Sequence, residues 1–169
     1  LKQATEFPQS ITFKPDGKPA IMWGADQNGF AMGDKYMWPS LPRSLDELVQ
    51  KLSLRKNGPN PILVNLYQNI WDQFESSIKH ASGFFFGDLM YSSKPAIQQK
   101  SFVFKPNTVT YQVKVNSELG KQIAQSNSGV VVHSFFEIGQ TNGRHVTDTD
   151  LQNLNLLTPG KLLVMTDEI

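Results

Sequence analysis

The sequence predicts an α+β domain of mostly antiparallel sheets with covering helices. Two kinds of observation lead there. Short runs rich in Val, Ile, Thr, Phe and Tyr alternate with Gly, Pro and Asn turn signals, as strands in hairpins do. Between them stand segments with helical periodicity, each opened by a capping residue. With 169 residues and 39% hydrophobic content, the chain can bury the core of one domain. The expected organisation is therefore a single domain over residues 1–169, read as an excerpt of a longer protein because it lacks an initiating Met and stops just after an apolar run.

In chain order, Ile11-Thr12-Phe13 and Ala20 to Gly24 are predicted strands, joined through Lys14-Pro15-Asp16-Gly17-Lys18. Asp26-Gln27-Asn28-Gly29 turns the chain into a third strand, Phe30-Ala31-Met32, because Asn-Gly is a strong hairpin signal. Residues 36–43 hold two prolines and form a loop. Ser44 caps a helix over Leu45 to Leu52, with Glu47 at the capping-box position. Asn60-Pro61 opens a longer one, in which Ile62, Leu63, Leu66, Ile70, Phe74 and Ile78 recur on one face. Further strands are expected at Phe84–Tyr91, Ser101–Phe104, Thr108–Val115 and Val130–Ile138, with a helix after Ser117. A short helix over Asp148–Leu154 and a strand over Lys161–Met165 close the chain.

Composition narrows the function. A net charge of +1 gives no global pull toward nucleic acid or membrane. The absence of cysteine removes disulfides and thiolate metal sites and fits a reducing, cytoplasmic setting. No apolar run approaches the length of a membrane span, roughly 18 residues, so no membrane partner is expected. His80 and His145 lack metal-ligand spacing, and neither a Walker lysine loop nor a Gly-x-Gly-x-x-Gly fingerprint is present. Trp23, Trp38 and Trp71 are expected to pack, as is His133 on its strand, and Lys35 alone is a solvated charge.

The Lys14–Lys18 segment has two readings. Pro-Asp-Gly is favourable turn chemistry, so it serves as a hairpin turn. A lysine leaving a strand two residues before Asp-Gly also serves as a nucleophile at a nucleotide phosphate.

In the second reading, Lys14-Pro15-Asp16-Gly17 resembles the Lys-x-Asp-Gly motif I of the covalent nucleotidyltransferases, the superfamily of DNA ligases, RNA ligases and mRNA capping enzymes. Phe84 to Tyr91, with Gly87-Asp88, resembles motif III, and Gly129 to Phe136 resembles the strand of motif IIIa. Together with Lys105-Pro106-Asn107-Thr108, the ordered set is similar to ligase-like proteins of large tailed bacteriophages, over roughly residues 11–138. The resemblance implies an ATP- and Mg²⁺-dependent enzyme with Lys14 as the nucleophile that becomes a lysine–AMP adduct. It implies nucleotide contacts from Asp16, Gly17, Lys35 and Asp88, with Asp88 also a metal contact and Phe135 or Phe136 stacking on the base. The implied partners are the nucleotide and a nucleic-acid end, and the implied setting is the cytoplasm of an infected host. The Glu-Gly and Lys-x-Lys motifs of such enzymes are missing from residues 139–169; either they follow Ile169 or the chain does not complete adenylation. The alternative function is a non-catalytic structural or interaction domain of a phage protein that retains the fold.

Overall fold

The computed structural model describes residues 19–56, 58, 60–158 and 161–166. The expected strand at Ile11–Phe13 and the segment Lys14–Lys18 lie outside the described residues.

β1 (Ala20–Asp26) and β2 (Gly29–Gly33) form the expected hairpin. Gly29 takes φ of 101°, a conformation that disfavours side chains, and the Asn28 amide donates to Asp26 Oδ1 at 2.9 Å. A 3₁₀ turn, Lys35–Met37, opens the proline-bearing loop. α1 (Leu45–Ser53) starts where Ser44 Oγ accepts from the Glu47 amide at 3.2 Å. Glu47 reaches back one residue further than a capping box requires, to the Arg43 amide at 2.8 Å. The Arg43 guanidinium in turn grips Asp26 and the Gly29 carbonyl, tying the helix start to the hairpin. α2 (Pro61–Ser77) is capped by the Asn60 side chain, which accepts from the Ile62 and Leu63 amides.

The rest of the chain runs β3 (Gly83–Tyr91), β4 (Ala96–Gln98), β5 (Ser101–Phe104), β6 (Tyr111–Lys114), α3 (Glu118–Ala124), β7 (Ser128–Glu137), β8 (Arg144–His145), α4 (Asp148–Leu151) and β9 (Leu162–Thr166). The larger, six-stranded sheet has the order β2-β1-β3-β7-β8, with β9 also on β7. All its pairings are antiparallel except β9 on β7. β4, β5 and β6 form a separate three-stranded antiparallel sheet. The α+β class with mostly antiparallel sheets is therefore the observed one.

Strand alternation divides the side chains between two cores. On one face, Trp23 and Phe85 lie under α2, which buries Tyr67, Ile70 and Phe74. Trp23 meets Phe74 edge-on at 5.0 Å between ring centres. On the other face, Met90, Val131, Leu163 and Met165 meet Phe102, Phe104, Tyr111 and Val113 of the small sheet and Ile123 of α3. Farther along that second face, Trp38 covers Phe84 and Phe136 at 5.4 and 5.0 Å. The strip between these two covers carries Phe86, Asp88, His133 and Ser134, all partly exposed.

Behind the sheet edge, Arg144 binds Asp150 through both guanidinium branches, at 2.6 and 2.8 Å, and Glu137 at 3.1 Å. Asp150 also closes the α4 capping box with Thr147. The Arg144 guanidinium, followed by the Thr147 amide and hydroxyl, holds the Asp150 carboxyl below its ordinary value of 3.8 against the opposing effect of burial. The folded chain thus binds this proton less readily than the unfolded chain. The stability it contributes is complete above the ordinary value and is lost as pH falls through the lower folded one. Urea unfolding between about pH 6 and pH 2 should show a shallower acid loss for Asp150→Asn than for the parent chain. Equal slopes would remove Asp150 from the acid response.

Candidate functional site

The start of β1 is where the described chain emerges from the Lys14–Lys18 segment. The Pro19 carbonyl accepts from the Leu89 amide at 3.0 Å, and Ala20 is the register partner of Asp88. The residues that follow the lysine-bearing segment are thus hydrogen-bonded to β3 beside its one acidic residue. Lys14, Asp16 and Gly17 themselves lie outside the described residues.

Asp88 is drawn toward β7. Its Oδ2 stands 3.8 Å from His133 Nε2, a distance at which a protonated imidazole attracts the carboxylate. His133 Nδ1 is 3.1 Å from Ser134 Oγ, and the imidazole ring meets Phe86 edge-on at 4.8 Å. The pairing depends on a bulge: Phe86 is opposite Ser134 and Gly87 is opposite Val132, so His133 is the extra residue. Gly87 permits this close approach, because a Cβ there would lie 2.4 Å from the Val131 carbonyl oxygen. His133, expected to be a packing residue, therefore also belongs to the polar strip.

Beside Ala20 opens a cleft of about 850 Å³. Its walls are the start of β1, the 3₁₀ turn after β2, the end of α1 and the first turns of α2. Asp34 caps the 3₁₀ turn, accepting from the Tyr36 amide at 3.0 Å, and forms an ion pair with Arg55. Lys35 is exposed at the cleft wall, its ammonium 5.2 Å from the centre of the Tyr36 ring. Below, Tyr67 is fully buried and its hydroxyl has no hydrogen-bond partner among the described residues. Burial pushes that phenol up, with the Asp34 charge adding to the effect and Arg55 opposing it.

Of the residues singled out by sequence, Lys35 lines the cleft together with Ala20, whereas Asp88 pairs with Ala20 across the strands and is not part of the cleft lining. Phe135 does not join them. It is 3% exposed in the helix-side core, 4.9 Å from Phe85, with the Arg144 guanidinium over its ring at 5.2 Å. A base-stacking role for Phe135 is thereby corrected, since its ring is buried in the core and offers no exposed surface to a base. Phe136 is on the Asp88 face, packed against Trp38. Arg55 and His133 are the site residues that sequence reasoning missed, and no local signal marks either.

Among the described residues, no three His, Asp or Glu side chains are grouped to hold a metal ion. Asp88 would, among the described residues, be a single carboxylate ligand to a cation otherwise bound by phosphate and water, which is the usual habit of Mg²⁺. No helix among the described residues is long and apolar enough to cross a membrane.

The model of a family of unknown function, DUF6267, matches residues 1–159. No curated protein and no solved structure matches the chain.

Proposed function

This chain belongs to the DUF6267 family, and we propose that its domain binds ATP at the start of β1 and takes the adenylyl group onto Lys14, as a polynucleotide ligase does in its first step. The observation that supports this most is the position of Ala20, which lines the cleft with Lys35 and Arg55 and is the register partner of Asp88 on β3. Two of the segments behind the resemblance, β3 with Asp88 and the β7 strand, are neighbours in the sheet, and β1, the first described strand after the lysine segment, pairs with β3.

The chemistry assigns a task to each group. The Lys14 amine, in its neutral form, attacks the α-phosphorus. The new N–P bond forms as the bond from phosphorus to the pyrophosphate oxygen breaks; the amine gives up a proton and pyrophosphate leaves. Nearby cations help keep the amine neutral and also offset phosphate charge, a role for Lys35 and Arg55. Asp16 and Gly17 are assigned nucleotide contacts by the motif, and Gly17, lacking a side chain, would let backbone come close to the nucleotide. Asp88 contacts the ribose or the magnesium ion that accompanies the phosphates. The adenylyl group would then pass to a nucleic-acid 5′-phosphate.

The test is incubation of the chain with Mg²⁺ and ATP labelled at the α-phosphate, followed by denaturing electrophoresis. Acid-labile label on the parent chain and none on Lys14→Ala is the expected result. Absence of label from a chain that binds ATP would sink the transfer reading.

A further inference from the structure

Resting on the nucleotide reading above, we infer that the cleft between the 3₁₀ turn and α2 is an adenine subsite, with Tyr36 as its stacking platform and Asn65 and Asn69 reading the base edge. Phe135 is sealed in the core and Phe136 is held by Trp38, so the base needs another aromatic surface. Tyr36 supplies one at the cleft: its side chain is 79% exposed, and its Lys35 contact occupies only one side of the ring.

The facing wall is α2. Asn65 and Asn69 are one helical turn apart, so they project side by side, and both are exposed and line the cleft. Neither side-chain amide has a hydrogen-bond partner among the described residues. Ile62, 81% exposed, and Leu66 add apolar surface to the same wall. A wall of this kind, apolar with a few convergent polar groups, is what a planar heteroaromatic ring requires. Lys35 and Arg55 face the same space, against the single carboxylate of Asp34, so an anionic group attached to the ring is favoured.

The amides select among bases. A carboxamide donates to adenine N7 and accepts from its N6 amino group in one bidentate contact. Guanine offers acceptors at both O6 and N7, so the amide oxygen meets a lone pair there. Adenine over guanine is the expected preference.

The experiment is calorimetric titration of the full chain carrying Lys14→Ala, which removes covalent transfer, with ATP and with GTP. ATP should bind about tenfold tighter than GTP. The Asn65→Ala/Asn69→Ala pair should bring the ratio near one. Tyr36→Ala should weaken both nucleotides about tenfold, and Tyr36→Phe should restore them. Tyr36, Asn65 and Asn69 are all exposed, and thermal melts check that the variants fold. Unchanged affinity and selectivity in these variants would overturn the subsite. If Lys14-dependent labelling persists in that case, the transfer reading survives without it. Selective binding without any labelling supports the subsite and overturns the transfer instead. No ATP binding and no labelling overturns both.

Discussion

Trp23→Ala lowers the free energy of unfolding by about 4 kcal/mol, a large part of the 5–15 kcal/mol typical of a domain. Trp23 is fully buried on β1, inside the larger sheet between β2 and β3. Phe74 of α2 meets it edge-on and Phe85 lies 5.7 Å away, so truncation opens a cavity lined by large side chains that cannot all collapse into it. The indole Nε1 also donates to Ser77 Oγ at 3.0 Å, which anchors the end of α2 to the sheet. Ser77 Oγ keeps its own donation to the Phe74 carbonyl at 2.6 Å, so losing the indole does not leave the hydroxyl wholly unpaired. Cavity formation should therefore dominate. Trp23→Phe, which keeps most of the packing and loses the hydrogen bond, should cost only about 1–2 kcal/mol. Urea midpoints with unchanged m-values measure both. Equal losses in the two variants would transfer the effect from the cavity to the hydrogen bond.

The contrast between local and distant signals explains what could be read from sequence. α1 and α2 were legible because their caps and apolar periodicities are local; Ser44 and Asn60 cap as their positions suggest. The β1–β2 hairpin followed from Asn28-Gly29. β4 was not legible. Its residues Ala96, Ile97 and Gln98 are all exposed, so no alternation marks them. Its turn into β5 is made by Gln99 and Lys100 at φ of 50° and 63°, without the glycine or asparagine that advertises such a turn. The strand at Thr108–Val115 is shorter than expected, running from Tyr111 to Lys114. Lys161–Met165 was legible as a strand, but its parallel direction on β7 is a matter of tertiary pairing.

The site depended on one irregularity. Strict alternation from Val131, which lies opposite Asp88, would place Phe135 on the Asp88 face. The bulge at His133 reverses the later residues, sending Phe135 into the helix-side core and Phe136 to the other face. No residue in Val-Val-His-Ser-Phe-Phe announces that bulge. Its partner signal, Gly87, lies on another strand, where it is readable only once β3 and β7 are paired. The Asp34–Arg55 pair has the same character: each residue is ordinary locally, and only the folded chain puts them on one cleft wall.

Under the proposed adenylyl transfer, Asp88→Asn should lower the rate of Lys14 labelling by about a hundredfold, the scale observed when a single electrostatic group at a reacting centre is removed. Asparagine keeps the shape of the side chain, so the loss should appear with little change in melting temperature. His133 separates two ways in which Asp88 could act. A carboxylate that meets the nucleotide or its magnesium ion directly works without the imidazole, and the 3.8 Å separation from His133 Nε2 does not commit it to that ring. His133→Ala should then leave the rate within about threefold, a difference worth less than 1 kcal/mol. A carboxylate that only orients the imidazole would make the two variants equally slow, with no further loss in the double variant. Asp88 also sits opposite Ala20, the first residue of the strand that follows the lysine segment, whereas His133 is one strand farther away. That placement favours direct contact. Wild-type labelling by Asp88→Asn would exclude both roles and leave the Asp88–His133 pair as a feature of the sheet alone.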